Sequence, residues 1–192
     1  MILGFAGAAG VGKTTFAKKM EQMRLNYRVM SFASPIKSMI KTLLSEVGIN
    51  GKDIMDLVGT QEGKATKIDL LDGHTVRYLL QTLGTEWGRK YVHNDMWTNI
   101  AIAKATSFRL SGYIVIIDDV RFDNEAAAIE KANGSIVYIE RPGVDRVCSD
   151  EHASENSFTI KDRYERLINN RDLSSIGEKI ANSKFGSQFS WL

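Results

Sequence analysis

The sequence predicts an α/β fold in three layers, a parallel sheet of about five strands with helices on both faces. Three observations carry that expectation. Short apolar runs alternate with longer stretches of helical periodicity, the pattern of βα units laid side by side. Tyr113 to Ile117 (YIVII) is continuously apolar, as a strand buried on both faces must be. A glycine-rich turn, Gly7 to Gly12, separates a short apolar run from a helical pattern that starts at Lys13.

Taken in order, Ile2 to Phe5 reads as the first strand, ended by Gly7. Lys13 to Met23 reads as a helix with Phe16, Met20 and Met23 near one side. Tyr27 to Phe32 (YRVMSF) alternates and reads as the second strand. Pro35 suits a first helical turn and opens a helix carrying Ile36, Met39, Ile40, Leu43, Leu44 and Val47. Gly48 to His74 is polar and poorly periodic, an insertion around one short helix near Ile54 to Val58. Further helices are expected at Val76 to Leu83 and Trp97 to Phe108. After the YIVII strand come a helix at Asn124 to Ala132 and a strand at Ser135 to Ile139 (SIVYI). A polar stretch, Glu140 to Glu155, precedes a strand at Arg166 to Asn169 and a helix through Leu173, Ile176 and Ile180. The whole chain, 1–192, is expected to be one domain.

Composition narrows the function classes. With 25 Lys and Arg against 23 Asp and Glu, the charge bias is too small to argue for a nucleic-acid or membrane partner. A lone cysteine, Cys148, rules out an intrachain disulfide framework. No apolar run approaches the ~20 residues of a bilayer span, and MILGFAG lacks the pattern of a signal peptide. A soluble, cytoplasmic protein is expected.

Gly7-Ala8-Ala9-Gly10-Val11-Gly12-Lys13-Thr14 spells G-x-x-x-x-G-K-[ST], the phosphate-binding P-loop. Its residue types follow from the task. Glycines let backbone N–H groups turn inward around a phosphate where a Cβ would clash. The helix that follows adds donors and a partial positive charge. Lys13 can reach the β- and γ-phosphates, and the Thr14 hydroxyl can ligate Mg²⁺. Gly10, Val11, Gly12, Lys13, Thr14 and Thr15 are therefore the expected ATP-binding residues, with Lys13 also catalytic.

P-loop proteins divide into switches, motors and small-molecule kinases. The chain has no NKxD, and Asp53 and Asp56 are not read as the aspartate of a DxxG, so a GTPase switch is set aside. A kinase needs a second anion site, and three segments can build one. Phe32 to Lys37 (FASPIK) lies where the second strand ends, and carboxyl ends of strands line the ligand crevice of such sheets. Arg77 and Gln81 are spaced i, i+4 on one helix face, an arginine for a phosphate and an amide for a base edge. Arg89 and Trp97 follow with charge and a stacking plane. Asp118 to Glu125 (DDVRFDNE) follows the best strand, where a carboxylate orders the Mg²⁺ shell. Each has a plainer alternative. Arg77 and Gln81 can be a solvated helix face, Asp118 or Asp119 can cap a helix, and Trp97 can be a core residue.

The combined pattern resembles the bacteriophage deoxynucleoside monophosphate kinases, a branch of the P-loop nucleotide kinases. The resemblance runs from the P-loop through FASPIK, RYLLQTLGTEWGR, NDMW and DDVRFDNEA to IERPG and HASE, and the pairing of RxxLQxLGTE with DVRFxNE is its specific part. It implies a P-loop kinase fold with a helical acceptor-binding region over 33–107 and a lid-like segment over 140–157. It implies acceptor contacts from Lys37, Arg77, Gln81, Gly84, Thr85, Trp97 and Glu125. Asp119 and Arg121 receive catalytic roles, and Thr14 with Asp119 the metal shell. Arg141 and Arg146 are the lid cations, and Asn169 and Asn170 are placed near the donor base. Mg²⁺ and ATP are implied as cofactor and co-substrate, a deoxynucleoside monophosphate as acceptor, and a homodimer in a host's cytoplasm as the setting.

The charge logic fits. His74, His93 and His152 all fall in polar, loop-like stretches, so no histidine stands out as a base. None is needed, because a monophosphate with a second pKa near ~6 is already largely anionic at neutral pH. The difficulty is to bring two anions together, which calls for positioning and positive charge. Two rivals remain open on sequence alone. One is a P-loop kinase with another acceptor, of the dephospho-coenzyme A or phosphomevalonate type. The other is an ATP-hydrolysing regulator or motor with no small acceptor.

Overall fold

The computed structural model of this protein describes residues 1–23, 25–143 and 158–169. Its elements are β1 (Ile2–Ala6), α1 (Lys13–Met23), β2 (Tyr27–Met30), α2 (Ser34–Glu46), α3 (Gly51–Gly59), α4 (Gln61–Ala65), β3 (Lys67–Ile68) and β4 (His74–Thr75). There follow α5 (Val76–Gln81), a π-helix (Thr82–Val92), α6 (Met96–Leu110), β5 (Ile114–Val120), α7 (Asp123–Lys131), β6 (Ser135–Glu140) and β7 (Glu165–Ile168). They make two compact units: Met1–Ser31 with the described residues from Thr98 onward, and Phe32–Trp97. The expected helical region 33–107 starts one residue after the second unit starts and runs ten residues past its end. Arg146, Asn170, most of the lid-like segment and the helix through Leu173 to Ile180 lie outside the described residues.

In the first unit a five-stranded sheet runs in the order β2-β5-β1-β6-β7, every pairing parallel. From β1 the chain moves through α1 to β2 on one side, and β6 and β7 are later laid on the other. The strand order therefore turns about β1, and a crevice forms at the carboxyl end of a strand so placed. The glycine loop leaves β1 at that end.

β1 is buried along its whole length because both its faces are covered. Leu3 and Phe5 pack with Phe16, Ala17 and Met20 of α1, the Phe5 and Phe16 rings meeting edge to face at 6.1 Å. Gly4 faces the other layer, where an added Cβ would stand 2.7 Å from Ile129 of α7. Helices thus lie on opposite faces of the sheet, as the alternation of elements predicts. Burying a side chain the size of Phe16 contributes about 1.5–3 kcal/mol.

The second unit has its own core, built from Ile40 and Leu44 of α2, Ile54 and Val58 of α3, Ile68 and Val76. The insertion expected to hold one short helix holds two α-helices and a 3₁₀ turn (Asp69–Leu71), with a two-stranded antiparallel hairpin of β3 and β4. Side-chain caps explain why so polar a stretch is ordered. Asn50 accepts from the N–H groups of Lys52 and Asp53, Thr60 from Gly63, and Thr75 from Tyr78.

Two stretches of this unit correct the reading of a missing switch signature. Asp56-Leu57-Val58-Gly59 does spell DxxG, and Thr66-Lys67-Ile68-Asp69 does spell TKxD. The first lies inside α3, which follows α2, and the second runs through β3, which follows α4, so neither directly follows a strand of the five-stranded sheet. Their place in the element order sets the switch aside, where the letters alone do not. Among the described residues, no helix is long and apolar enough to cross a membrane.

Candidate active site

The phosphate loop has the backbone its sequence demands. Gly7, Gly10 and Gly12 adopt φ of 139°, 78° and 99°, the region that L side chains avoid. At Gly7 space is lacking as well, since a Cβ would fall 2.3 Å from the carbonyl oxygen of Ile139. Val11 pins the loop from within, 2% exposed among the core residues of β1 and α1. The first helical hydrogen bond of α1 runs from Phe16 N to Gly12 O, so N–H groups ahead of Phe16 lie outside the helix ladder. Lys13 is folded over the loop, its Nζ donating to Gly7 O at 2.7 Å and to Ala8 O at 2.8 Å. Thr14 and Thr15 are exposed on the first turn.

β5 ends beside β1 in an irregular register. Gly4 pairs with Ile117 and Ala6 with Val120, so Asp118 and Asp119 together oppose the single residue Phe5. Such a bulge re-aims side chains and is common beside active sites. Asp118 is buried, 7% exposed, while Asp119 is only partly covered. Beyond it, Arg121 is exposed. Glu125, expected to contact substrate, is 2% exposed, and its Oε2 accepts from Arg121 N (2.8 Å) and Phe122 N (3.1 Å). The carboxylate satisfies N–H groups at the start of α7 and thereby fixes the backbone that presents Arg121.

Arg141 follows β6 and donates through Nη1 to Gly10 O at 3.3 Å, while its buried Nε has no hydrogen-bond partner among the described residues. This expected lid cation rests against the phosphate loop itself. Asn169, just past β7, also reaches the loop: its Nδ2 donates to Val11 O at 2.7 Å.

The second unit carries the expected acceptor residues. Arg77, Gln81 and Thr85 recur every four residues along α5 and the π-helix, with Arg89 next in that series. In an α-helix each such step overshoots the turn by about 40°. The wider π turn, bonded i→i+5, makes the step fall short instead. The switch of helix type therefore holds the four-residue series near one face. Arg77 is exposed and donates to Oε1 of Gln61 at 2.8 Å. Gly84 is buried, an added Cβ there falling 3.1 Å from Ile36 Cδ1, so the first turn of α2, with half-buried Lys37, lies against it. Trp97, expected as an open stacking plane, is 1% exposed. Its Nε1 donates to Gly84 O at 2.8 Å, and a Cβ at Gly88 would come within 2.4 Å of that nitrogen. The indole packs against the π-helix because Gly88 leaves it room there.

Comparison with known proteins decides the family. The family described as deoxynucleotide monophosphate kinase matches residues 26–180. The chain is 34% identical, over 94% of each sequence, to a putative deoxynucleotide monophosphate kinase of Acanthamoeba polyphaga mimivirus. It is 25% identical over 69% of its own length to the deoxynucleotide monophosphate kinase of Enterobacteria phage T4, covering 55% of that protein. The chain belongs to the deoxynucleotide monophosphate kinase family. Within this kinase the family match begins past Gly7 to Thr15, so the donor loop stands on its own motif and geometry.

Sequence reasoning missed three features of the kinase. Gln61 sits in the stretch where no motif was legible, yet partners Arg77. The π-helix has no recognised sequence code, although Gly84 and Gly88, spaced i, i+4 before a tryptophan, hint at close packing. Asn169 is expected near the donor base, but its hydrogen bond to Val11 O is not legible in the sequence.

Proposed function

We propose that this kinase transfers the γ-phosphoryl group of ATP to a deoxynucleoside monophosphate, forming the diphosphate and ADP. The observation that carries the reading is the loop at the carboxyl end of β1, with three left-handed glycines and Lys13 folded across it. The family to which the chain belongs supports the acceptor class.

Roles follow from placement. The backbone N–H groups of Gly10 to Thr15 and the Lys13 ammonium bind the donor phosphates. Arg121, presented by the Glu125-held turn, and Arg141, resting on Gly10, add positive charge for the transferring group. Arg77, Gln81, Thr85 and Lys37 bind the acceptor, with Trp97 and Gly84 forming the packed wall behind them. The donor set suits Mg²⁺: a hydroxyl on Thr14 and a partly covered carboxylate on Asp119 are hard oxygen ligands. Among the described residues no cluster of three or more His, Cys, Asp or Glu forms, which fits an ion held mostly by phosphate oxygens and water. When bound, the ion neutralises charge on the β- and γ-oxygens.

ADP release from Mg²⁺–ATP, measured with each deoxynucleoside monophosphate and its ribose counterpart, tests the reading. Release that depends on particular deoxynucleotides, with the diphosphate appearing in step, is expected. Release independent of any acceptor points to a nucleotide hydrolase instead. No release with any nucleotide points to a different acceptor.

A further inference from the structure

Asn169 directly follows β7, 158 residues along the chain from the Val11 it touches. It is 5% exposed. Its backbone N–H donates to Glu140 O at 2.7 Å, which extends the β6–β7 ladder by one residue and fixes its position. Its side-chain Nδ2 donates to Val11 O at 2.7 Å, and a Cβ built on Gly12 would lie 2.6 Å from the same nitrogen. The carboxamide therefore lies across the Val11–Gly12 peptide.

That peptide matters because a trans peptide unit points its C=O and N–H in opposite directions. A phosphate loop works by turning N–H groups inward, which turns the matching carbonyls outward. An outward carbonyl buried by neighbouring chain needs a donor. Glycine at position 12, at φ 99°, otherwise leaves the Val11–Gly12 plane little to stop it rotating. Holding Val11 O from outside aims Gly12 N–H at the opposite, phosphate-binding side.

We propose that Asn169 is a positioning residue for the triphosphate, locking the Val11–Gly12 peptide so that Gly12 N–H faces the donor phosphates. The inference rests on the reading that this loop binds ATP. It makes the carboxyl end of the edge strand β7 part of the donor site's preorganisation, without contact between Asn169 and the reacting atoms.

The test compares wild type with Asn169→Ala and the isosteric Asn169→Asp. KM for ATP, KM for the monophosphate, kcat and melting temperature without nucleotide are measured, with calorimetric binding of a non-hydrolysable ATP analogue. Asn169→Ala should raise KM for ATP roughly tenfold, the scale of one lost hydrogen bond. KM for the monophosphate should stay within about twofold. Asn169→Asp should be worse, since it replaces the donor by an acceptor facing Val11 O and adds negative charge near the triphosphate. A purely structural residue would lower the melting temperature and raise both KM values together, and that result overturns the proposal. So does an unchanged KM for ATP in both variants. Should the alanine variant fail to fold, the aspartate variant alone decides between these outcomes. If wild type fails to bind the analogue, the ATP reading itself fails and this proposal falls with it. Analogue binding by wild type with unaltered affinity in the variants sinks only the role of Asn169.

Discussion

The indole nitrogen of Trp97 donates to the carbonyl oxygen of Gly84 at 2.8 Å, and Gly88 lies against the same ring. One side chain therefore satisfies a helix carbonyl and occupies the space that Gly88 leaves. The relationship accounts for the local conformation. An i→i+5 helix is rare by itself and persists where tertiary packing supports it.

Gly88→Ala should break this arrangement. Its methyl would stand 2.4–2.5 Å from three atoms of the indole, and those ring atoms cannot give way as a flexible chain end would. Moving the ring away costs the Gly84 hydrogen bond. A loss of about 1–3 kcal/mol in denaturant unfolding is expected, along with a shift in tryptophan emission. Unchanged stability and emission would mean that the ring and helix are not coupled.

Lys13→Ala should abolish transfer and leave the fold intact. The ammonium bonds two loop carbonyls, and on the proposed reading ATP binding would exchange these for phosphate oxygens. Loss of one such charge-stabilising group lowers kcat by about 10²–10³, while far-ultraviolet circular dichroism should match wild type. Wild-type turnover in this variant would refute the loop's assignment.

Arg77 and Gln61 should act as a pair on the acceptor. Arg77→Ala is expected to raise KM for the monophosphate at least tenfold and to leave KM for ATP nearly unchanged. Gln61→Ala, which removes only the partner at 2.8 Å, should raise the same KM by a smaller factor, about two- to fivefold. Equal effects on both substrates would take Arg77 out of the acceptor site.

These residues also separate what was legible in the sequence from what was not. β1, the glycine loop and α1 were readable because every requirement there is local: left-handed glycines, a lysine in reach, an apolar helix face. β5 was readable from burial, although its end runs to Val120 through a bulge that only its neighbour β1 reveals. The hairpin of β3 and β4 was not, since two-residue strands are too short to show alternation. Trp97 and Asn169 were placed near function by pattern, but their partners are backbone carbonyls, Gly84 O and Val11 O. A carbonyl leaves no mark in a sequence.

Glu125 tests the link between capping and catalysis. Glu125→Ala removes the carboxylate that accepts from the N–H groups of Arg121 and Phe122, at a cost of about 1–3 kcal/mol in stability. With its backbone released, Arg121 should lose its aim, and kcat should fall at least tenfold. Glu125→Gln keeps an acceptor oxygen and should recover most of both. If the glutamine variant is as inactive as alanine yet fully stable, the negative charge itself is needed, and Glu125 belongs with the substrate after all.

The bulge in β5 makes opposite predictions for adjacent aspartates. Asp119 is partly covered and Asp118 is buried, so only one is placed to meet a hydrated ion without stripping its own surroundings. Asp119→Asn should therefore raise the Mg²⁺ concentration for half-maximal activity by about 10–100-fold, the usual effect of losing an outer-shell carboxylate. Asp118→Asn should leave that titration in place and alter the melting temperature, because its carboxylate sits within the end of the strand. Chelation by excess EDTA should abolish transfer in both variants, and added Mg²⁺ should restore it. The reverse pattern, a displaced titration for Asp118→Asn and a normal one for Asp119→Asn, would assign the metal role to the buried residue. The bulge would then serve to turn Asp118 toward the loop.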